Sequence, residues 1–307
     1  MLNQIDIQDI VAIAKQAGSA IMQIYSQDFK VEYMQDNSPL TLADKKANDI
    51  IETGLNQLSV NFPILSEEGK SIPYEDRKHW EYFWLVDPLD GTKEFVKKND
   101  EFTVNIALIH KDAPVLGVVY APALDICYWA KQGEGAFKDG KKLPLKTESQ
   151  RNTYKIVASR SHMSDETQAF IDAIETNKEK ELTSVGSSLK ICLVAEGEAD
   201  IYPRLGPTME WDTGAAHAIV NETGCYLKKY TKNNTMQKHI YNKKNFPIKL
   251  IDKKENFRRI IDHKKNSGWI HISQLKKVNS VITLEDKIMF KKSMIFSKPI
   301  AKIKKGR

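Results

Sequence analysis

Cysteine is scarce in this chain of 307 residues: there are three, Cys127, Cys192 and Cys225. They are odd in number and far apart, and no paired Cys/His spacing accompanies them. A disulfide framework and a structural zinc site are therefore excluded, and a reduced, cytoplasmic compartment is expected. No apolar run approaches the roughly 20 residues that a membrane-spanning helix needs. The stretch Met1 to Gln8 has no basic segment followed by an apolar core, so no secretion signal is expected either. A Gly-x-Ser-x-Gly elbow, a P-loop and a dinucleotide fingerprint are all missing, which removes a serine nucleophile and the common nucleotide-binding loops. No internal repeat is visible.

What is present is a globular composition, 41% apolar, with charge unevenly spread. Residues 236–307 hold 20 Lys+Arg against 5 Asp+Glu, leaving 26 against 35 in residues 1–235. An acidic body suits carboxylates gathered around cations, whereas a basic tail suits an anionic membrane surface or nucleic acid. Sparse aromatics and the lack of a recognition helix in the tail argue against specific nucleic-acid binding and for a solvated Lys-rich face. Peripheral contact with the inner face of a bacterial plasma membrane, or an unidentified partner for the tail, stays open.

Helical spacing of Ile7, Ile10, Val11, Ala14, Ala17, Ile21 and Ile24 predicts a first helix. Thr41-Leu42-Ala43-Asp44 has the form of a capping box opening a second through Leu58, with Asp44 as cap partner. A short strand, Pro63 to Ser66, ends in Glu67-Glu68-Gly69, and an apolar strand, Tyr82 to Val86, ends in Asp87-Pro88-Leu89-Asp90-Gly91-Thr92. Pro88 predicts that this strand stops there, because proline lacks the N–H a central strand must donate. Period-two runs at 102–109, 115–121 and 126–130 predict a β-meander packed against helices, hence an α+β body. Beyond it come a strand at 155–159, a helix over about 165–176, an apolar helix opening at Gly186-Ser187-Ser188-Leu189-Lys190, a strand at 199–204, and a helix of small residues introduced by Glu210-Trp211-Asp212-Thr213. His217 on that last helix reads as a core or edge histidine rather than a ligand.

The acids Glu67, Asp87, Asp90 and Asp212 all stand at the ends of apolar elements, and the Leu89 carbonyl lies between two of them. Oxygen donors of this kind suit magnesium, which prefers carboxylates, waters and phosphate oxygens in an octahedron. Two such ions would hold a phosphate ester, activate a water and neutralise the leaving oxygen. An aspartyl-phosphate mechanism needs one residue between its two acids; here two residues intervene, and Leu89 occupies the place of the general acid.

Leu65-Ser66-Glu67-Glu68, Trp84 to Phe95 and Glu210 to Ala215 resemble the three signatures of the inositol monophosphatase superfamily. Thr92-Lys93-Glu94-Phe95, Ser159-Arg160-Ser161-His162, Gly186 to Lys190 and Tyr202-Pro203-Arg204 resemble its bacterial 3'(2'),5'-bisphosphate nucleotidase branch, over about residues 3–230. The resemblance implies a layered αβαβα sugar-phosphatase fold and a magnesium-dependent, lithium-sensitive enzyme. Its substrate would be adenosine 3',5'-bisphosphate, the by-product of sulfate activation, hydrolysed to AMP and phosphate. Glu67, Asp87, Asp90, Asp212 and the Leu89 carbonyl would bind two magnesium ions, with a third, weaker ion left open. Glu67 and Asp87 would serve the first ion, and Asp90 and Asp212 would share the second. Asp44 and Thr92 would orient and deprotonate the water; Glu67 belongs to this catalytic set too. The N–H groups of Gly91 and Thr92 would hold the scissile phosphate, with His162, Ser187, Lys190, Arg204 and Asp212 around the nucleotide and its 5'-phosphate.

Residues 1–230 are thus expected to form the phosphatase domain, 231–238 a linker and 239–307 a basic segment resembling a bacterial SH3-like domain, a small β-barrel without its opening strand. A fusion, a frameshifted gene and an incomplete barrel all stay open for that tail, and with them the closing strand of the body. An inositol or general sugar phosphatase is the alternative enzyme. A degraded phosphatase binding through its tail is the alternative of another class, against which stands the retention of every metal-ligand position.

Overall fold

The computed structural model describes residues 1–27, 39–146, 152–158, 164–204 and 208–230, and beyond them the segments 236–238, 248–254, 257–262, 267–271, 287–290 and 299–303. The chain divides into two compact units, Met1–Lys243 and Lys244–Arg307. In the first, α1 (Ile7–Tyr25) starts at Asp6, whose carboxylate accepts from the Gln8 N–H at 2.9 Å, an N-cap that satisfies one of the helix's free donors. Helix α2 (Pro39–Asn56) opens with Pro39 in its first turn, where a missing N–H is harmless. It therefore begins before Thr41, and Asp44 lies inside the helix rather than acting as its cap partner. Then follow β1 (Ile64–Ser66), α3 (Tyr74–Arg77), β2 (Tyr82–Asp90), α4 (Thr92–Val96), β3 (Thr103–His110), β4 (Ala113–Ala121), β5 (Ile126–Lys131), β6 (Gly135–Lys138) and β7 (Lys141–Lys142).

These seven strands make one sheet in sequence order, with β1 parallel to β2 and every later neighbour antiparallel. The expected meander is its centre. Both faces are covered, which is why β2 reads as an unbroken apolar run. Trp84 and Val86 enter the core shared with α1 and α2, while Phe83 and Leu85 enter a second core.

That second core is closed by α6 (Leu189–Ala195) and α7 (Trp211–Asn221), reached through β8 (Thr153–Ala158), α5 (Asp165–Asp172) and β9 (Glu179–Ser184). Strands β8 and β9 form a separate parallel pair joined by α5, and α6 touches β8. Helix pair, seven-stranded sheet, helix pair and small sheet follow one another as in the αβαβα order, with α5 joining the two strands of the small sheet. Small residues let α7 approach closely: a Cβ on Gly117 of β4 would sit 2.2 Å from the Ala215 carbonyl oxygen. His217 is buried within this helix, a core position as expected.

Some boundaries differ from expectation. The segment 199–204 contributes one bridge, Ile156 to Ile201, instead of a strand. Within the stretch read as a linker, β11 (Met236–Lys238) pairs with β10 (Lys228–Tyr230). The second unit contains the antiparallel sheet β12 (Ile248–Lys254), β13 (Phe257–Asp262) and β14 (Ser267–His271) and the pair β15 (Lys287–Phe290) and β16 (Pro299–Ile303). Val281-Ile282-Thr283-Leu284 also reads in the sequence as a short strand of this segment, and it lies outside the described residues. Among the described residues, no helix is long and apolar enough to cross a membrane.

Candidate active site

Strand β2 does not stop at Pro88. It runs on to Asp90, and its pairing with β3 slips between Asp87, opposite Asn105, and Asp90, opposite Thr103. Three steps along β2 thus match two along β3, so Pro88 and Leu89 form a bulge where a ladder donor is dispensable. Cross-strand partners share a face, and so do Asn105 and Thr103, two apart. The bulge therefore places Asp87 and Asp90 on the same face, the one covered by α6 and α7. The Leu89 N–H donates to Asp87 Oδ1 at 3.1 Å, and the Leu89 side chain is buried in the opposite core.

Strand β1 delivers the third acid. Its pairing with β2 carries on through the Glu67 N–H, which donates to the Val86 carbonyl at 3.1 Å, so Glu67 comes alongside Asp87. The fourth arrives from the covering layer: Asp212 stands in the first turn of α7 and its Oδ2 accepts from the Thr208 hydroxyl at 2.9 Å and the Met209 N–H at 3.0 Å. One ligand oxygen each from Glu67, Asp87 and Asp212 lies within 4.8 Å of the others. Asp90 adjoins them through its charge on all three; its own Oδ2 is taken by Ser188 Oγ at 2.7 Å.

The cluster is electrostatically strained as a set of bare carboxylates. Burial, reinforced by Asp90, Glu67, Asp212 and Asp44, raises the Asp87 pKa well above the usual range. Crowding by protein, then Asp212 and Asp90, pushes Glu67 up to about 7 even though part of its side chain meets solvent. Burial followed by Glu68 and Glu67 lifts Asp44 to about 8, and burial with Asp90 lifts Asp212 to about 6. Convergent hard oxygens whose negative charges repel one another are what a hard divalent cation requires, so the donor set fits one.

A pH test follows. In an unfolded chain these groups titrate near about 4, so above that pH the cation-free native state holds protons that the unfolded state has released. The slope of unfolding free energy with pH is then negative, and this cluster's contribution is lost as pH rises through about 7 to 8, the raised values of Glu67 and Asp44. A divalent cation replaces those protons. Adding magnesium chloride should therefore raise the melting temperature more at pH 8 than at pH 6. An equal or smaller gain at pH 8 would mean that the cation does not meet these acids.

Gly91 follows Asp90 with φ +95°, and a Cβ there would lie 3.2 Å from the Glu101 carbonyl oxygen and 3.2 Å from Ser187 Cβ. Glycine alone adopts that backbone without strain. It caps α4, whose first residue, Thr92, is exposed. Helices α2 and α4 touch, although Asp44 and Thr92 are not hydrogen-bonded to each other. Ser187 has φ +44° and a buried hydroxyl without a hydrogen-bond partner. Lys190, in the first turn of α6, is buried; desolvation lowers its pKa, opposed by Asp90 and aided by Arg204. The Arg204 charge also acts on Asp212. Ser187, Lys190 and Arg204 thus border the acids, while His162 lies outside the described residues.

Sequence reasoning passed over three residues. Asn105 and Ser188 are hydrogen-bonded to Asp90, and Glu101 accepts from the Gly186 N–H at 2.9 Å. The signal for Asn105 was an amide within a strand buried on both faces; Ser188 stood inside a motif already singled out.

A model described as the inositol monophosphatase family matches residues 2–265, past the residue 230 at which the resemblance was expected to end. The chain belongs to the inositol monophosphatase family. Among its relatives, the 3'(2'),5'-bisphosphate nucleotidase CysQ of Salmonella typhimurium is 48% identical over 225 residues, 72% of this chain and 89% of the relative. The CysQ of Escherichia coli K12 is 45% identical over the same shares. The crystal structure of CysQ from Bacteroides thetaiotaomicron, described as a bacterial member of this family, superposes with a TM-score of 0.67 at 45% identity, covering 72% of this chain and 87% of that one. The family's enzymes are metal-dependent phosphatases, in keeping with the cluster of Glu67, Asp87 and Asp212.

Proposed function

We propose that this protein is a cytoplasmic, magnesium-dependent 3'(2'),5'-bisphosphate nucleotidase that hydrolyses adenosine 3',5'-bisphosphate to AMP and phosphate. The observation that carries the reading is 48% identity to a 3'(2'),5'-bisphosphate nucleotidase, over most of both chains. The pair of cations Lys190 and Arg204 beside the acids agrees with it, since a bisphosphate brings a second dianion that charge-assisted donors recognise.

Glu67, Asp87, Asp90, Asp212 and the Leu89 carbonyl would hold two magnesium ions. When bound, the metal withdraws charge from the phosphoryl group and makes a water easier to deprotonate. Asp44, held at a raised pKa by burial, takes the proton of the attacking water with Thr92. Gly91 and Thr92 N–H groups would hold the scissile phosphate, and Ser187, Lys190, Arg204 and His162 would hold the nucleotide and its 5'-phosphate.

Purified full-length protein with magnesium should release phosphate from adenosine 3',5'-bisphosphate faster than from inositol 1-phosphate. Equal or reversed rates would sink the nucleotidase reading in favour of a general sugar phosphatase, leaving the fold unaffected.

A further inference from the structure

The Ser188 hydroxyl stands between two of the acids. Its Oγ is 2.7 Å from Asp90 Oδ2 and 2.7 Å from the Asp212 carbonyl oxygen. Asn105 Nδ2 donates to the same Oγ at 2.9 Å and reaches Asp90 Oδ2 at 3.4 Å. Both side chains are shut away from solvent, Ser188 at 3% exposure and Asn105 at 1%. A hydroxyl carries one proton and an amide nitrogen two. Ser188 can therefore donate to only one of its two acceptors at a time, and Asn105 has a second N–H for Asp90 when that proton turns to Asp212. Asn105 Oδ1 has no partner of its own, so the amide is oriented by what its nitrogen donates.

The arrangement matters because Asp90 and Asp212 belong to different elements, the end of β2 and the first turn of α7. Hydrogen bonding from Ser188 and Asn105 at Oδ2 restrains the Asp90 carboxylate. The bond to the Asp212 backbone ties the start of α7 to the same point. We propose that Ser188, held by Asn105, is a positioning residue that sets the orientation of Asp90 and its spacing from Asp212 for cation binding. This rests on the reading above, in which Asp90 is a magnesium ligand. Outer partners of metal ligands typically change metal affinity by about 10–100-fold.

The probe is Mn2+, a paramagnetic cation of similar octahedral oxygen preference, titrated into the metal-free full-length protein and followed by electron paramagnetic resonance. Ser188→Ala removes one oxygen; its dissociation constant should rise by about 10-fold or more, while the melting temperature of the metal-free protein stays within a few degrees of wild type. Asn105→Leu, of similar size, should weaken binding in the same direction. Wild-type affinity in Ser188→Ala overturns the inference; should that variant fail to fold, wild-type affinity in Asn105→Leu does so. Asp90→Asn, measured alongside, separates the two levels. Undiminished affinity there overturns the magnesium-site reading itself, whereas weakened binding in Asp90→Asn with intact binding in Ser188→Ala overturns only the role of Ser188.

Discussion

Replacing Asp87 with Asn is expected to lower phosphate release by at least about 10³-fold, since a catalytic metal is worth several kcal/mol of transition-state stabilisation and each 1.36 kcal/mol is a factor of ten. The same change should raise the melting temperature of the metal-free protein. Asp87 is buried among Asp90, Glu67, Asp212 and Asp44, and its carboxylate is disfavoured by burial first and by their charges after it. Asparagine keeps the acceptor that Leu89 N–H uses and removes the charge. Relief of about 1 kcal/mol would move the melting temperature by roughly 2–4 °C in a domain of this size. Calorimetry in a chelator, paired with a phosphate-release assay, checks both halves. A variant that is both inactive and less stable would show that Asp87 serves the fold; an active one would remove it from the metal set.

Lys190→Met should have the second largest effect, and a selective one. Methionine fills much of the lysine stem's volume without carrying a charge into a buried site. Losing a hydrogen bond to a charged phosphate is worth about 1.5–3 kcal/mol, hence roughly a 10- to 150-fold fall in kcat/KM for the bisphosphate. A nucleoside 3'-monophosphate, which lacks the 5'-phosphate, should lose far less. Steady-state rates on the two substrates decide it: equal losses on both would place Lys190 at the scissile phosphate, not at the second one.

Much of this was legible in the sequence because the acids stand at the ends of apolar runs, and runs are easy to read. Strands β3 to β5 and helix α1 were marked by their periodicity, and β2 by its unbroken apolar run. Strand β9 was not: Glu179-Lys180-Glu181-Leu182-Thr183-Ser184 has no apolar alternation, and its residues are mostly exposed. Its backbone bonds to β8, not its side chains, make it a strand. The start of α2 was misread because Thr41-Leu42-Ala43-Asp44 imitates a cap, while Pro39 had already begun the helix. Ser188 and Asn105 escaped because their importance lies in distances across three elements, which a linear pattern does not contain. The proline rule failed at Pro88 for a related reason, since it speaks of regular ladders and the ladder there is irregular.

That irregularity works as a parity device. Residues three apart on a regular strand look to opposite sides of a sheet, so an even pleat would send one of Asp87 and Asp90 toward α7 and the other toward α1. The extra residue resets the count, and an odd interval comes to behave as an even one. The chemistry is then encoded in a number of residues as much as in their kinds. A chain that shortened Asp87-Pro88-Leu89-Asp90 by one would retain both acids and mend its ladder, yet take on the spacing of the covalent phosphatases that this sequence is otherwise unlike.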